Sequence, residues 1–438
     1  MINFSKVVYF IERCLPTSFV EQYRNLKWIT KKLFYHIRYN SILVKLRKKK
    51  SPINVYFFLL DSSMWKYDAL YKIMQADEMF NVSILICMRA DLSLTLAVEN
   101  IKKCELLCKQ KGYNYVLSYS DRKLINPQRL NADIIFYCNP YERFYKKGFY
   151  MNDLHKCLIC YANYSYEIIP FKWAFAGTMQ NLAWRYFCES KEHQKLIKYH
   201  SILKGWNTVV SGYPMLDVFN NYKANKLCWK IKDNTHKRII WAPHQSIFDC
   251  EMSDKHTAVQ FSTFLLYADY MIELADKYKN AIQIAFKPHP FLKRNLYNHP
   301  KWGKVKTDLY YEKWENMENT ICVEGDYVDL FCTSDALIHD CGSFTAEYLC
   351  LNKPVMYLAT YMNDSSMNKI GKLAYGCHYI GNNKNDILNF IVDVMLNNND
   401  TLRFKRLDFY HKFLLPPNHQ SSSENIMFEI KRALQNLV

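Results

Sequence analysis

Short apolar segments, each followed by a polar turn and a helical pattern, constrain the fold of this chain more than any other feature. The first lies at residues 54–60, and others follow at 82–88, 115–118 and 132–137, with a helical pattern over 92–110. Continuous apolar runs of this length indicate strands buried on both faces, which is typical of parallel sheets covered by helices. The alternation predicts a doubly wound α/β fold.

The same alternation returns in the second half of the chain. Apolar segments at 238–242, 281–286 and 336–338 surround a helical pattern over 257–279, and a lysine-rich polar stretch at 220–235 is interpreted as a linker. A chain of 438 residues, half of them apolar or aromatic, accommodates two such domains. We therefore predict two Rossmann-like doubly wound domains and two helical additions. The predicted limits are 1–50 for a basic helical extension, 51–220 and 221–400 for the two domains, and 401–438 for a C-terminal helical segment.

The N-terminal extension carries most of the excess positive charge. Residues 1–50 hold twelve Lys or Arg and two acidic residues, which leaves ten of the chain's net charge of +17 in this segment. Apolar residues recur there every three or four positions, as in amphipathic helices with basic faces. The pattern and Trp28 favour docking on an anionic membrane surface. A packed helical pair with solvated lysines and a nucleic-acid-binding arm are the alternatives, but no RNA-binding or helix-turn-helix signature supports a nucleic acid partner.

Cysteine usage and hydropathy bear on the compartment. Fifteen Cys are scattered without a repeating pattern, and the single CxxC, Cys157 to Cys160, has no second pair that would complete a zinc site. Unpatterned cysteines fit a reducing compartment. There is no uncharged apolar run of 18 residues and no signal-peptide pattern. We predict a cytoplasmic protein, peripheral on the inner face of the cell membrane.

Three consecutive strands of the second half end in polar side chains. Because the carboxyl ends of parallel strands meet at one edge of a sheet, these residues should line one crevice. A lysine, two histidines, hydroxyls and a helix N-terminus suit a diphosphate. No GxxxxGK[ST], GxGxxG or Asp-x-Asp clamp is present, so we expect no obligatory metal or cofactor. The residues are His244, Gln245 and Ser246 after the first strand, Lys287 and His289 after the second, and 340–343 after the third.

Several segments of this half resemble a known family. Trp-Ala-Pro-His-Gln-Ser at 241–246, Phe-Lys-Pro-His-Pro at 286–290 and His-Asp-Cys-Gly-Ser-Phe-Thr-Ala-Glu-Tyr at 339–348 are similar to the CDP-glycerol glycerophosphotransferases, which make teichoic acids and related capsular polymers. The resemblance extends over about residues 205–360. It implies a glycosyltransferase fold of the B type (GT-B), with the cytidine nucleotide on the C-terminal domain. It also implies peripheral attachment to a membrane that carries a lipid-linked acceptor.

The resemblance also implies roles for individual residues. His289 matches the second essential histidine of the family, which stabilises the transferring phosphate. Ser343 and Thr345 match its phosphate ligands at a helix terminus, and Glu347 matches an acidic position that binds ribose or positions a ligand. Its Gly-x-Pro-x-x-Asp turn near the domain junction corresponds to Gly212, Pro214 and Asp217. The donor-binding set is completed by Lys287, Gln245, Ser246, Asp340, Gly342 and Phe344.

One departure from the family concerns the acceptor side. The first essential histidine of the family lies in a Trp-His-Gly-Thr segment, and this chain has Tyr-Ala-Asn-Tyr-Ser at 161–165 in about that place. We therefore expect another residue to act as general base, with Asp61, Asp68 and His244 as candidates.

These observations predict a transferase that uses a CDP-activated polyol phosphate, with CDP-glycerol as the first candidate donor. The acceptor would be a hydroxyl of a cell-surface glycan or of a lipid-linked molecule, and CMP would be released. One alternative is a GT-B nucleotide-sugar glycosyltransferase of capsule or O-antigen synthesis. A second alternative, from another class, is a non-catalytic scaffold that docks on membranes through residues 1–50.

Overall fold

The structure of the protein, a computed structural model, describes residues 17–220, 222, 228–232, 234–247, 261–359 and 364–436. Within these residues the strands form two parallel sheets and one short hairpin. The first sheet contains β1 (Ile53–Leu59), β2 (Phe80–Ile86), β3 (Tyr115–Leu117), β6 (Ile134–Tyr137), β7 (Leu158–Ala162), β8 (Arg185–Cys188) and β9 (Thr208–Val210). The hairpin joins β4 (Tyr119–Ser120) and β5 (Lys123–Leu124), and the second sheet contains β10 (Lys237–Ala242), β11 (Ile282–Phe286), β12 (Thr320–Cys322), β13 (Ala336–His339), β14 (Val355–Leu358) and β15 (Tyr379–Gly381).

Helices connect the strands and flank both sheets. In the first half they are α1 (Thr17–Arg47), α2 (Asp68–Gln75), α3 (Leu94–Lys111), α4 (Lys172–Phe175), α5 (Thr178–Leu182), α6 (Lys191–His200) and α7 (Leu216–Asn220). In the second half they are α8 (Phe264–Lys277), α9 (Leu292–Tyr297), α10 (Gly303–Asn316), α11 (Val328–Thr333), α12 (Phe344–Glu347), α13 (Lys369–Tyr375), α14 (Lys384–Asn389), α15 (Arg403–Phe409) and α16 (Ser422–Gln435).

Each sheet has a point at which the strand order reverses. The orders are β3-β2-β1-β6-β7-β8-β9 and β12-β11-β10-β13-β14-β15, so the reversal falls beside β1 in the first sheet and beside β10 in the second. All residues of β6, β7, β11, β13 and β14 are buried, because both faces of the sheets are covered. The predicted doubly wound α/β fold is confirmed. Ligands of such folds bind where the order reverses, at the carboxyl ends of the strands.

The observed helix and strand limits differ from the predicted ones by a few residues. Strand β2 begins at Phe80, two residues before the predicted start. Helix α8 begins at Phe264, later than the predicted residue 257, and residues 257–260 lie outside the described part. The start of α8 is fixed by Thr263, whose backbone N and Oγ1 both donate to the Asp340 carboxylate.

The C-terminal segment contacts both domains. Phe409 and Leu414 belong to a hydrophobic core of the second domain, whereas Ile426, Ile430 and Leu434 of α16 belong to the core of the first. The Arg47 guanidinium donates to the Ala433 carbonyl, which ties the end of α1 to α16. The last helix therefore completes the first domain.

Helix α1 is the described part of the predicted basic extension. One side of it, formed by Tyr35, Tyr39, Ile42, Leu43 and Leu46, is buried against the first domain. Residues 1–16 of the predicted extension lie outside the described part. Among the helices that the structure describes, none is long and apolar enough to cross a bilayer.

Candidate functional site

The loops after β10 and β11 bring two histidines together. The ring centroids of His244 and His289 lie 5.1 Å apart. Their backbones continue the parallel pairing beyond the strands, because the Lys287 N–H donates to the Trp241 carbonyl at 2.8 Å and the His289 N–H to Pro243 at 3.1 Å. The predicted convergence of these two strand ends is therefore present in the structure.

Both imidazoles are neutral near pH 7. Burial lowers the pKa of His244 to about 4. Burial also lowers the pKa of His289 to about 3, and the nearby His244 and Lys287 lower it further. A bound dianionic phosphate would raise both pKa values, since it favours the charged form of each ring.

Lys287 is the cationic group of this crevice. Its side chain is buried, with only 5% of the residue exposed, and burial lowers the pKa of the ammonium. Among the described residues, no side chain forms an ion pair or hydrogen bond with its Nζ atom. Glu324 and Asp326 lie near enough to oppose this lowering of the pKa, but a desolvated ammonium without a direct ion pair is costly, so the site favours an anionic ligand.

The turn after β13 is fastened to this pair of loops by Asp340. Its carboxylate accepts hydrogen bonds from the His244 N–H at 2.5 Å, the Thr263 N–H at 2.6 Å and Thr263 Oγ1 at 2.9 Å. Burial raises the pKa of Asp340 to about 6. Asp340 therefore anchors the turn, and the Gly342 backbone and the Ser343 hydroxyl, which forms no capping bond with α12, remain at the crevice.

Other predicted donor residues have side chains that are already engaged. Thr345 Oγ1 donates to the Cys341 carbonyl at 3.0 Å, and the Phe344 ring packs against Tyr327 and Phe331. Ser246 Oγ accepts from the Phe261 and Ser262 N–H groups. At Gln245 it is the backbone carbonyl that is engaged, as the acceptor of a hydrogen bond from Asn295 Nδ2. These contacts shape the loops. Direct contact of these side chains with a nucleotide donor stays a prediction.

Glu347 belongs to a buried polar network between the domains. Its carboxylate accepts from Tyr327 Oη at 2.6 Å and Tyr213 Oη at 2.8 Å. Lys66, in the turn after β1, donates to Tyr327 Oη at 2.6 Å. Tyr213, Tyr327 and Lys66 were not predicted from the sequence. The signals available were that Lys66 follows a strand end and that Tyr213 lies within the Gly-x-Pro turn.

The turn that contains Gly212, Pro214 and Asp217 anchors α16. The Asp217 carboxylate accepts from the Ser422 N–H, the Ser423 N–H and Ser423 Oγ at 2.6–2.9 Å. Gly212 has a φ of +93°, and a Cβ there would lie 2.4 Å from Ser422 Oγ. The turn lies at the domain junction, as predicted, but the described contacts of Asp217 hold α16 and leave no free carboxylate for a donor.

Asp61 faces the crevice from the first domain. It accepts from Ser63 N–H and Oγ, and it pairs with Arg89 at 3.0 Å. The Arg89 guanidinium lies 5.5 Å from the ring of Phe291, which is itself 5.6 Å from the His289 ring. This chain of contacts crosses the cleft. Asp61 therefore lies on the side of the crevice that the first domain forms, with its charge compensated by Arg89.

Asp68 lies apart from this group. Its carboxylate accepts from Tyr113 Oη and from Lys72 at 2.7 Å, and Lys111 lies 3.7 Å away. All of these partners belong to the first domain. The structure thus gives Asp68 a structural set of contacts and does not bring it to His289.

A metal site is not formed by the described residues. No three His, Cys, Asp or Glu side chains in the described ranges are placed to hold a metal ion together. The absence of an obligatory metal in the reaction stays a prediction.

Comparison with known proteins gives one family and several similar folds. A family model described as CDP-glycerol:poly(glycerophosphate) glycerophosphotransferase matches residues 178–426, more than half of the chain. The structure of the wall teichoic acid polymerase TagF has 14% sequence identity and a TM-score of 0.56, covering 96% of this chain and 99% of that chain. A variant of TagF soaked with CDPG has 13% identity and a TM-score of 0.52, covering 95% and 98%.

A second group of similar structures has another activity. The UDP-GlcNAc 2-epimerase from Neisseria meningitidis bound to UDP-GlcNAc has 10% identity and a TM-score of 0.52, covering 86% of this chain and 99% of that chain. At such identities the likeness shows the fold alone, and it confirms the GT-B architecture. No curated protein sequence matches this chain.

Proposed function

The chain belongs to the CDP-glycerol:poly(glycerophosphate) glycerophosphotransferase family, and from this membership we propose that it transfers glycerol phosphate from CDP-glycerol to an acceptor hydroxyl. The acceptor is a cell-surface glycan or a lipid-linked molecule. Its oxygen attacks the β-phosphorus, the bond from that phosphorus to the bridging oxygen breaks, and CMP leaves. The product is a phosphodiester.

One observation carries this proposal, namely the buried Lys287, which has no direct ion pair among the described residues and lies near His289 at the reversal point of the second sheet. Phosphoryl transfer depends mainly on positioning and on neutralising charge. Lys287 supplies the positive charge, and the neutral rings of His244 and His289 supply hydrogen bonds to phosphate oxygens. The Gly342 backbone and the Ser343 hydroxyl complete the donor side.

The test is the variant His289→Ala with a panel of donors. We expect kcat for CMP release from CDP-glycerol to fall by about 10²–10³, because one hydrogen bond that stabilises the negative charge of the transition state is lost. CDP-ribitol and UDP-sugars serve as competing donors, and product analysis distinguishes a phosphodiester from a glycosidic bond. His411→Ala, at an exposed position of the C-terminal segment, is the matched control.

Near-normal turnover of a folded His289→Ala protein would contradict the role of His289. Release of a nucleoside diphosphate with a glycosidic product would favour the nucleotide-sugar glycosyltransferase instead.

We also propose that α1 docks the enzyme on an anionic membrane surface at the cytoplasmic face. Phe19, Leu26, Leu33, Ile37 and Val44 are each 50–63% exposed. Their spacing of four or seven residues puts them on one stripe about 40 Å long. Support comes from the charges beside this stripe, because lysines flanking exposed apolar side chains suit anionic headgroups. The flanking residues include Lys27, Lys31 and Lys32.

A further inference from the structure

We propose that Glu167 is the general base that takes the proton from the acceptor hydroxyl. The proposal rests on the glycerol phosphate transfer proposed above. Glu167 lies in the loop after β7, two residues beyond the 161–165 segment in which the family histidine was expected. No sequence pattern singles out Glu167, because it follows the expected segment and belongs to no motif.

The loop that carries Glu167 lies against the donor half of the cleft. Tyr213 Oη is 3.2 Å from the Tyr164 carbonyl and 2.8 Å from the Glu347 carboxylate, at the end of α12. From the second domain, the Asn368 N–H donates to the Ile168 carbonyl at 2.7 Å. The loop after β7 is thus fixed between the carboxyl edge of the first sheet and two elements of the second domain, the end of α12 and the start of α13.

The backbone of Glu167 is fixed on each side. Its N–H donates to Glu189 Oε1 at 3.2 Å. Its carbonyl oxygen lies 2.9 Å from His193 Nε2 and accepts from Asn368 Nδ2 at 2.9 Å. A base whose main chain is held from both domains keeps its carboxylate in one position, as proton transfer requires.

The carboxylate of Glu167 differs from the other candidate bases by its lack of a cationic partner. Its Oε1 accepts from the Ile169 N–H at 3.0 Å, and within the described residues no Lys or Arg pairs with it. Asp61 is paired with Arg89, and Asp68 contacts Lys72 and Lys111. A carboxylate paired with a cation holds a proton poorly, so Glu167 is the stronger base.

The surroundings of Glu167 adjust its proton affinity. Burial raises the pKa of Glu167 to about 8, the Ile169 and Ile168 N–H groups oppose this, and Glu189 adds to it. A general base works best with a pKa close to the working pH. The titratable and charged groups around it are Tyr164 on its own loop, Tyr141 and Arg143 after β6, Tyr186 and Glu189 on or after β8, and His193 on α6.

Aromatic rings beside Glu167 provide a surface for the acceptor. The Tyr141 ring lies 6.3 Å from Tyr164 and 6.1 Å from Trp173, and Trp173 stacks on Phe171 at 5.9 Å. Trp173 is 51% exposed. Exposed amphipathic rings at the carboxyl edge of the first sheet suit the apolar faces of a sugar or polyol chain.

The Glu167 carboxylate takes the hydroxyl proton while the acceptor oxygen forms a bond to the β-phosphorus of CDP-glycerol. The bond from that phosphorus to the bridging oxygen breaks, and CMP leaves with the electron pair. The protonated Glu167 then releases its proton to solvent, which restores the base for the next turnover.

The test compares Glu167→Gln and Glu167→Asp with the wild type, using CDP-glycerol and a short poly(glycerol phosphate) oligomer as acceptor. We expect kcat of Glu167→Gln to fall by about 10²–10⁴ while the Kd for CDP-glycerol changes by less than about threefold, since the donor side is intact. The wild-type rate should rise with pH up to about 8, as the Glu167 carboxylate loses its proton. Glu167→Asp should keep this rise, and Glu167→Gln should lose it. Glu192→Gln, at a partly exposed position in the first turn of α6, is the matched control.

The outcomes are distinguishable. A wild type that releases no CMP from CDP-glycerol overturns the proposed function, and this inference with it. An active wild type with a Glu167→Gln variant of equal kcat and equal pH profile overturns the role of Glu167 alone. Glu167→Asp provides the test if Glu167→Gln does not fold, and a pH limb lost in Glu167→Asp would also contradict the proposal.

Discussion

Two buried histidines, His339 and His378, show how burial controls the protonation state of a single side chain. His378 is 3% exposed, its Nδ1 lies 2.9 Å from the Ala374 carbonyl, and its ring centroid is 5.3 Å from that of His339. Burial lowers the pKa of His378 to about 3, and Arg406 lowers it further against the opposing contact with Ala374. The ring is therefore neutral throughout the physiological pH range.

The low pKa of His378 predicts a loss of stability in acid. Between pH 6.5 and about 3 the unfolded chain binds a proton at this residue that the folded chain does not bind. The contribution of His378 to stability is thus present above pH 6.5 and is lost as the pH falls, by at most about 1.4 kcal/mol per pH unit. In urea unfolding, the free energy of unfolding of the wild type should be lower at pH 5.5 than at pH 7.5. In His378→Gln this decrease should be smaller by about 1 kcal/mol.

The control for this prediction is the exposed His411→Gln, which should keep the pH dependence of the wild type. An unchanged pH dependence in His378→Gln would mean that another group accounts for the acid sensitivity.

At the scale of single elements, α16 depends on a carboxylate far away in sequence. Asp217 accepts three hydrogen bonds from Ser422 and Ser423 at the first turn of α16. We expect Asp217→Asn to lower the free energy of unfolding by about 1.5–3 kcal/mol, because hydrogen bonds to a charged acceptor are lost. Chemical denaturation measures this.

Two further measurements make this prediction specific. Asp386→Asn, at an exposed cap, should cost less than about 1 kcal/mol. The Kd for CDP-glycerol should not change in Asp217→Asn. A large loss of donor affinity without a loss of stability would instead support the donor-binding role that the family resemblance implied.

Helix α1 should bind membranes through its exposed apolar stripe. The double variant Leu26→Gln with Leu33→Gln should bind phosphatidylglycerol vesicles about 10–100-fold more weakly than the wild type, since two leucine side chains are no longer buried in lipid. Vesicle sedimentation measures this, and added salt should weaken wild-type binding.

The matched control for α1 is Val305→Gln with Leu309→Gln, which replaces two exposed apolar residues of α10. It should leave vesicle binding unchanged. Equal loss in both double variants would show that any exposed apolar pair contributes, and would contradict a specific role for α1.

At the scale of the whole molecule, the network of Lys66, Tyr327, Glu347 and Tyr213 connects the domains. Lys66 is buried, and its charge is balanced through Tyr327 by Glu347. We expect Glu347→Gln to cost about 3 kcal/mol in unfolding free energy, because it removes the main counter-charge of the buried Lys66 ammonium. Adding Lys66→Met should restore part of this loss.

A double-mutant cycle by urea unfolding checks this coupling. The expected coupling energy is about 1–3 kcal/mol. The exposed interdomain pair Lys369 and Glu192, 3.6 Å apart, is the control and should couple by less than about 0.5 kcal/mol. Additive effects of Lys66→Met and Glu347→Gln would contradict a balanced network.

The sequence by itself determined the fold class and the donor half of the site. Strands buried on both faces must be continuously apolar, so β1, β10, β11 and β13 are visible as runs, and the residues that follow them are known at once. His244, Lys287, His289 and Asp340 therefore converge as the pattern predicts, because parallel strands end at one edge.

Only the tertiary structure decided which of these side chains remain free for a ligand. Asp217 and Glu347 have the residue types of ligand-binding groups, but partners distant in sequence already occupy them. Glu167, in contrast, belongs to no recognisable motif, but its carboxylate has no cationic partner in the described residues. Its loop contacts the second domain through the hydrogen bond from the Asn368 N–H to the Ile168 carbonyl. Local sequence fixes the strand and the turn, whereas burial and pairing depend on contacts between segments hundreds of residues apart, which no local pattern records.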